Sequence, residues 1–245
     1  MKLNKTFKKI FAAIMMITML CGGMNILNNQ TTVDASTNPV QMYCTDHYFY
    51  KYSYYLYTVY IQVDANSASN KAVYVHHSSQ DGWTDTEATF FTKLDDNTEI
   101  WKADISGVAT SEFTIKYVGD GITYWDNNNG QNYNSNDIIG ADNVKALRRD
   151  SYYSDSIRAV VKNLGYEKHV KVRYTLDNWQ TYQDADMSYV DSNYGVNGEL
   201  WSVNLNLDLD NLDGFQFCIC YEVNGQTYWD NNFGANYDKN YYRSY

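Results

Sequence analysis

Two loops in the sequence combine a tryptophan with a run of amide side chains. Trp125 and Trp229 each precede an Asp-Asn-Asn segment, and residues 123–133 and 227–237 are identical at nine of eleven positions. An indole offers a large rigid face, and asparagine supplies both a hydrogen-bond donor and an acceptor. Such a surface suits a ligand with apolar C–H faces ringed by hydroxyls, as sugar rings have. Spacing alone leaves open the alternative that these tryptophans cap the ends of a core.

The amides of these loops are the candidate hydrogen-bonding groups for such a ligand. They are Asn127, Asn128 and Asn132 in the first loop, and Asn231, Asn232 and Asn236 in the second. Asp126 and Asp230 stand next to the tryptophans. We expect these two carboxylates to stabilise their loops through local backbone bonds rather than to contact ligand.

All six tryptophans fall into repeat-related pairs. The pairs are Trp83 with Trp179, Trp101 with Trp201, and Trp125 with Trp229. The repeat predicts two homologous domains, residues 44–139 and 154–245, joined by a polar segment over residues 140–153. The first pair follows Asp-Gly and Asp-Asn turns, a polar setting like that of the third pair.

Within each repeat, apolar residues alternate with polar ones. Phe215, Phe217 and Ile219 alternate with polar residues and cysteines, and Phe113 and Ile115 follow the same period of two. Several short strands of this kind with turn signals between them predict an antiparallel β-sandwich. The expected fold is therefore all-β, with two tandem antiparallel β-sandwich (immunoglobulin-like) modules. Trp101 and Trp201 share parity with apolar strand residues and are predicted to be core.

The N-terminus has the pattern of an export signal. Four lysines precede the apolar stretch 10–20, and a small-residue site ends at Ala35. This pattern predicts a signal peptide over residues 1–35 and a secreted chain, free or at the cell surface. An uncleaved anchor is the alternative. The remaining chain holds three cysteines, Cys44, Cys218 and Cys220, an odd number that cannot pair completely within one chain.

Charge and composition argue against several partner classes. The formal net charge is −10, whereas a nucleic-acid partner requires a basic footprint. No cofactor and no metal site is predicted. His76 and His77 are adjacent on a predicted strand, so their side chains point to opposite faces and cannot easily share one ion. Asn206, Asp208 and Asp210 have the opening spacing of a calcium loop but lack its glycine and closing glutamate.

The Tyr-Trp-Asp-Asn-Asn-x-Gly-x-Asn-Tyr ending resembles carbohydrate-binding module family 21, a family of starch- and glycogen-binding β-sandwiches. In the second repeat the resemblance runs over residues 157–237, and in the first it is weaker at the start. The family's first glucan site implies stacking on Trp179 and Trp229, and by repeat on Trp83 and Trp125. A further aromatic of that site falls on Cys218 and Thr114, so the sequence departs from the family there.

The resemblance also implies a second site on the opening turn of each module. It matches Asn163, Tyr166 and Lys168 in the second repeat. In the first repeat, Ser69 stands where the stacking tyrosine is expected.

The sequence therefore predicts a non-catalytic protein that binds α-glucans such as starch, glycogen and maltooligosaccharides. A secreted amylolytic enzyme is a candidate partner. Two alternatives from other classes are a hydrolase with an unrecognised catalytic site and a cell-surface adhesion or scaffold protein. The adhesion alternative rests on a tyrosine-rich segment, which comprises Tyr48, Tyr50, Tyr52, Tyr54, Tyr55, Tyr57 and Tyr60.

Overall fold

Antiparallel strands with alternating apolar and polar side chains make up most of the described chain. The computed structural model describes residues 38–49, 55–95, 97–107, 112–134, 136–148, 156–192, 194–195 and 197–242. The predicted signal peptide lies outside these residues. Among the described residues, no helix combines the length and apolar character that crossing a membrane requires.

Nine strands form the first half of the described chain. They are β1 (Val40–Phe49), β2 (Tyr55–Asp64), β3 (Lys71–Ser79), β4 (Gly82–Glu87), β5 (Thr89–Asp95), β6 (Thr98–Gly107), β7 (Glu112–Gly119), β8 (Ile122–Asp126) and β9 (Tyr133–Asn134). A 3₁₀ turn, Asn128–Gly130, lies between β8 and β9.

Nine further strands form the second half. They are β10 (Val144–Leu147), β11 (Ser156–Lys162), β12 (Lys168–Thr175), β13 (Gln183–Asp186), β14 (Ser188–Asp191), β15 (Gly198–Asn204), β16 (Gln216–Val223), β17 (Gln226–Asp230) and β18 (Tyr237–Asp238). A 3₁₀ turn covers Leu209–Asn211, and a short helix α1 covers Lys239–Tyr242.

The strands form four antiparallel sheets with the same order in each half. In the first half the orders are β1-β2-β6-β5 and β4-β3-β7-β8, with β9 pairing β7. In the second half they are β10-β11-β15-β14 and β13-β12-β16-β17, with β18 pairing β16. The prediction of an all-β antiparallel fold is confirmed, and the second half repeats the strand order of the first.

The two sheets of each half enclose an apolar core. In the first half, Val59 and Ile61 of β2 lie in one cluster with Val75 of β3 and Ile115 of β7. The second half has an equivalent cluster, which includes Ala159, Val161, Val172, Phe217 and Ile219. These side chains are the period-two residues of the sequence, so the alternation correctly marks the buried faces.

Trp101 and Trp201 lie at the margin of these cores rather than inside them. Both indoles are half-buried and pack against their clusters. The physical reason is a carboxylate on the same face two residues earlier. Trp101 Nε1 donates to Glu99 at 3.0 Å, and Trp201 Nε1 lies 3.4 Å from Glu199. The prediction is correct about the strand face on which the two indoles lie, but it overestimates how deeply they are buried.

The segment expected as a join between domains contributes a strand. β10 pairs with β11 in the register Val144 to Val161, and both Val144 and Ala146 are fully buried in the second core. Just before it, the chain runs beside β1, where Gly140 N donates to the Tyr43 carbonyl at 2.9 Å. The described part of this segment, residues 140–148, is therefore an edge of the fold and not a free linker.

Buried charges join the two halves at this edge. Asp46 of β1 is 5% exposed and accepts from the Arg148 guanidinium at 3.0–3.2 Å. The Tyr241 hydroxyl lies 3.1 Å from the same carboxylate, and Lys145 Nζ donates to Tyr237 at 2.7 Å. A buried carboxylate needs such partners, because an unpaired charge is costly away from water.

An aromatic contact adds to the junction on the outer face of the first half. The Phe233 ring, in the second half's loop, lies 5.0 Å from Tyr60 and 5.2 Å from Phe91, with Tyr43 at 6.0 Å. Residues 36–245 accordingly form one compact unit. The two halves therefore pack against each other and are not independent domains joined by a flexible linker.

We expect Asp230→Ala to destabilise the fold by about 2–5 kcal/mol, because it leaves the buried Ala146 N–H and Tyr237 hydroxyl without their acceptor. Urea unfolding of the two proteins measures the change. Asp186→Ala, an exposed carboxylate on β13, is the matched control and should shift stability by less than about 0.5 kcal/mol. Equal midpoints for the two variants would contradict a structural role for Asp230.

Candidate functional site

The outer face of sheet β13-β12-β16-β17 carries an exposed row of side chains. Tyr182 is 59% exposed and Trp229 is 43% exposed, with the Arg173 guanidinium 4.2 Å from the first ring and 5.1 Å from the second. Asp184 holds that guanidinium through two bonds of 2.7 and 2.8 Å. Tyr182, Arg173 and Trp229 are called the second-half platform. The bidentate pair fixes the arginine between the rings.

An equivalent row lies on sheet β4-β3-β7-β8 of the first half. The His76 ring stacks on Trp83 at 5.0 Å and meets Trp125 edge-on at 5.4 Å. Asp85 lies 2.6 Å from His76 Nδ1 and 2.7 Å from Lys116 Nζ. Burial alone would raise the pKa of Asp85, but hydrogen bonds from Lys116 and His76 hold it below its usual value. Trp83, His76 and Trp125 are called the first-half platform.

Strand register corrects one of the tryptophan pairs. His76 faces Asp85, and Arg173 faces Asp184, so Trp83 and Tyr182 each stand two residues before the equivalent carboxylate. The chain from Arg173 to Asp184 is two residues longer than the chain from His76 to Asp85. Tyr182, not Trp179, therefore occupies the place of Trp83. Sequence reasoning missed Tyr182. Its position two residues before Asp184 is the signal that could have identified it, and the Asp-x-Trp match obscured that signal.

Trp179 lies in the loop before β13, at the end of the same sheet. Its backbone adopts φ +67° directly after Asn178 at φ +56°. Left-handed backbone is unusual for a bulky residue and is strained unless its surroundings hold it. Thr175 Oγ1 accepts from the Trp179 N–H at 2.9 Å, and the indole N–H donates to Gln216 at 2.6 Å. The fold thus holds this indole in place against a conformational cost.

The loop asparagines mostly shape their own loops. Asn127 Oδ1 accepts from Gly130 N at 3.0 Å, and Asn231 Oδ1 accepts from Gly234 N at 2.9 Å. The amides of the next residue in each loop close it by donating to a carbonyl four residues on, Asn128 to Asn132 at 3.0 Å and Asn232 to Asn236 at 3.1 Å. Asn128, Asn132, Asn232 and Asn236 all have φ between +51° and +58°. Asparagine recurs there because it tolerates left-handed backbone.

The two aspartates of the loops hold each half closed. Asp126 Oδ2 accepts from Met42 N at 2.7 Å, and Asp230 Oδ2 accepts from Ala146 N at 2.6 Å. The tyrosine that ends each repeat motif donates to the same carboxylate, Tyr133 at 2.8 Å and Tyr237 at 2.7 Å. Burial and then Asp126 raise the pKa of Tyr133, which keeps its donor proton in place. Local backbone bonds of the predicted kind are present, since Asn128 N lies 3.4 Å from Asp126 and Asn232 N lies 3.2 Å from Asp230. The shorter bonds from Met42 and Ala146 come from the opposite sheet and were not predicted.

The residues of the second predicted site lie together on the turn into β12, and they are called the turn patch. Tyr166 is 98% exposed. Lys168 Nζ donates to Asn163 Oδ1 at 2.8 Å and to Glu199 at 2.7 Å, so the structure brings Asn163 and Lys168 together beside the tyrosine. In the first half, Lys71 makes the corresponding ion pair with Glu99 at 3.0 Å. Ser69 stands where Tyr166 does, and this half lacks the protruding ring.

Two cysteines lie beneath the second-half platform. Cys218 faces Arg173, Cys220 faces Trp229, and both thiols are buried. Burial raises the pKa of Cys218 to about 12 and that of Cys220 to about 11, so both are protonated near neutral pH. Thr114 is the equivalent buried residue in the first half. Where the family resemblance implies a further aromatic, this chain has small residues covered by the platform.

Other candidate groups are placed elsewhere by the structure. His77 is buried and bonds Thr86 at 2.9 Å, whereas His76 lies on the outer face, as strand alternation predicts. Among the described residues, no group of three or more histidine, cysteine or acidic side chains is placed to hold a metal.

Of the tyrosine-rich segment, Tyr57 is buried and Tyr60 packs against Phe233. The structure does not describe Tyr50, Tyr52 or Tyr54, nor the side chains of Tyr48 and Tyr55. Burial and packing of the described tyrosines give no support to an adhesive surface formed by them.

The two-sheet fold and the exposed aromatic platforms are typical of β-sandwich binding modules. Residues 148–240 match the model of the carbohydrate/starch-binding module (family 21), and this part of the chain belongs to that family. The segment is similar to "Protein phosphatase 1 regulatory subunit 3C" of Bos taurus, 41% identical over 31% of this chain and 25% of that protein. "Protein phosphatase 1 regulatory subunit 3B" of the same species is 42% identical over 31% and 28%. The chain thus spans about a quarter of the length of these curated relatives.

One solved structure is also similar in sequence to part of this chain. The starch-binding domain of Rhizopus oryzae glucoamylase, in complex with β-cyclodextrin and maltoheptaose, is 32% identical over 42% of this chain and 97% of that domain, with a TM-score of 0.31.

We expect Trp179→Gly to be more stable than Trp179→Ala by about 1 kcal/mol, because only glycine adopts the left-handed backbone without a Cβ penalty. Denaturant unfolding of both variants measures the difference. Trp83 lies in strand β4 and supplies the matched control, for which the order should reverse, since glycine weakens a strand. An alanine variant at position 179 that equals or exceeds the glycine variant in stability would contradict the strain.

Proposed function

We propose that the protein binds α-glucans such as starch, glycogen and maltooligosaccharides without catalysing a reaction on them. The observation that carries the proposal is the exposed row of Tyr182, Arg173 and Trp229 within the segment that belongs to family 21. That family is one of binding modules. The first half repeats the strand order and carries its own platform, so we include it as a second module of the same kind.

Stacking supplies the apolar part of the interaction. The rings of Tyr182 and Trp229 are held apart by the fixed guanidinium of Arg173, and together they offer faces to successive sugar rings. A rigid aromatic row loses little conformational freedom when ligand binds. Trp179, at the end of the same sheet, adds a third aromatic surface. We expect separate aromatic surfaces of this kind to suit a curved helical glucan better than a flat crystalline chain.

Hydrogen bonding to sugar hydroxyls is assigned to polar groups beside the platforms and on the turn patch. Gln216 and Asp184 orient the aromatic rows, and Asn127, Asn128, Asn231 and Asn232 hold the loops. Hydroxyl contacts therefore come chiefly from the rims of the platforms and from the turn patch around Tyr166. Asn163 and Lys168 stand next to each other there, with a donor and an acceptor within 2.8 Å. Tyr166 stacks on a sugar whose hydroxyls reach this pair.

Export of the chain remains part of the proposal and rests on the pattern of residues 1–35. An extracellular glucan binder would act beside starch-degrading enzymes. The relatives are named as regulatory subunits of a phosphatase and give no support to an amylolytic partner. The match covers about a quarter of those proteins, so phosphatase binding is not part of the proposal either.

We expect the protein to be retarded in gels that contain amylopectin or glycogen, and not in gels with cellulose or xylan. Trp229→Ala should lower the affinity for amylopectin, obtained from the retardation, roughly tenfold. The reason is the loss of an exposed stacking face worth about 1–1.5 kcal/mol. Tyr189→Ala is the matched control, because that ring is also exposed but lies on β14 of the other sheet. Retardation by cellulose, or equal losses in both variants, would contradict the proposal.

A long glucan should engage both halves of one molecule. The second contact is then intramolecular and can raise apparent affinity by about 10²–10⁴ when geometry permits. We expect the double variant Trp83→Ala, Trp125→Ala to lose at least about tenfold in affinity for long amylose, measured by calorimetry. Its affinity for maltotriose at the second half should stay the same. Unchanged affinity for long amylose would show that the halves do not act together.

A further inference from the structure

A cleft of about 210 Å³ opens where the two halves meet. The first half lines it with Gln41, Asn128 and Asp137, and the second half lines it with Lys162 and Asn197. It is distinct from both platforms and from the turn patch. Of these residues, only Asn128 is among the candidates that the sequence analysis named, because the cleft exists only where one half packs on the other.

The backbone that forms this cleft is fixed by close contacts. Residues 138–142 run beside β1, where Ala141 N donates to the Met42 carbonyl at 2.8 Å. Lys162 Nζ donates to the Gly140 carbonyl at 2.6 Å from the other side. A Cβ at position 140 would lie 2.0 Å from the Met42 carbonyl oxygen, so the close approach requires glycine. The cleft is therefore preformed rather than opened by a ligand.

The lining combines polar groups of both charges with apolar side chains, since Met42 and Ile139 also border the cleft. Asp137 and Lys162 provide one carboxylate and one ammonium group, and Gln41, Asn128 and Asn197 provide amides. Burial lowers the pKa of Lys162, and Asp142 opposes that shift. Opposite charges with several amides favour a neutral ligand that carries many hydroxyls, because each hydroxyl can both donate and accept. A strongly charged ligand would meet a like charge on one wall.

The size of the cleft limits the ligand to about one ring. It is several times the roughly 30 Å³ that one water occupies in the liquid, and smaller than the roughly 300–1,000 Å³ of pockets for drug-sized molecules. We propose that the junction cleft binds a single pyranose unit of a glucan. This inference rests on the proposed function, since it assigns a further subsite to the same class of ligand.

The position of the cleft suggests how a glucan would reach it. Asn163 of the turn patch donates its N–H to the Asn197 carbonyl at 2.8 Å, so the patch adjoins the cleft on one side. On the other side, Asn128 belongs to the loop that follows Trp125. A glucan on the turn patch of the second half could therefore continue through the cleft towards the first-half platform. The cleft would bridge the two halves for one polymer.

Titration of the isotope-labelled protein with maltose, followed by amide and indole NMR signals, tests the proposal. We expect the backbone amides of Gly140, Ala141 and Asn197 to shift, in addition to the Trp229 indole signal. The double variant Gln41→Ala, Asn197→Gly should weaken binding at the cleft amides about fivefold or more, through loss of two hydrogen-bonding side chains. Asn197 has φ +62°, so glycine fits its backbone.

The matched control is the double variant Gln226→Ala, Asn206→Gly. Both residues are exposed, Asn206 has φ +54°, and neither lines the cleft. It should bind as the wild type does. Shifts of Trp229 without shifts at Gly140 and Ala141 would overturn the cleft while leaving glucan binding intact. Cleft shifts that are equal in wild type and in the Gln41, Asn197 variant would also overturn it. No shifts at any site, with no retardation by amylopectin, would overturn the proposed function itself.

Discussion

A buried carboxylate at the end of one sheet holds each half of this protein together. Asp126 and Asp230 each follow a platform tryptophan, and each accepts from a backbone N–H of the first strand in the opposite sheet. The hydroxyl of Tyr133 or Tyr237 completes the arrangement. The tryptophan points outward because the next residue must point inward to make these bonds. The exposed ring and the closed sandwich are thus two results of one local constraint.

The junction between the halves also depends on a buried carboxylate, which is paired there with a positively charged side chain. Asp46 would be costly in the interior without the Arg148 guanidinium and the Tyr241 hydroxyl, and these come from the other half. Each half therefore supplies groups that the other requires. This dependence sets the relative position of the two platforms, and it makes the cleft between them a fixed feature. A glucan would meet one surface with defined spacing rather than two tethered modules.

Sequence reasoning found the features that repeat and missed those that depend on register. The period of two correctly predicted buried residues such as Phe217 and Ile219. Sequence reasoning predicted only local bonds for Asp230 and missed its bond to the Ala146 N–H, 84 residues away. The strand β10 was not predicted, because a pattern of four residues (Val144–Leu147) is too short to indicate a strand. Its pairing with β11 makes it one. Tyr182 was missed because a longer loop displaced it from the Asp-x-Trp match. Glu99 and Glu199, two residues before the indoles, were the signal that Trp101 and Trp201 would lie at a margin.

One difference between the repeats makes their order in the chain matter. Phe233 of the second half packs on Tyr60 and Phe91 of the first half, whereas Asn129 stands at the matching place in the first loop. Ile61 pairs with Trp101 and Ala159 pairs with Trp201, so Arg158 occupies in β11 the position that Tyr60 occupies in β2. A phenylalanine packed on the second half in the same way would meet a cationic side chain instead of an aromatic ring. The two halves are therefore not interchangeable, although they share one strand order.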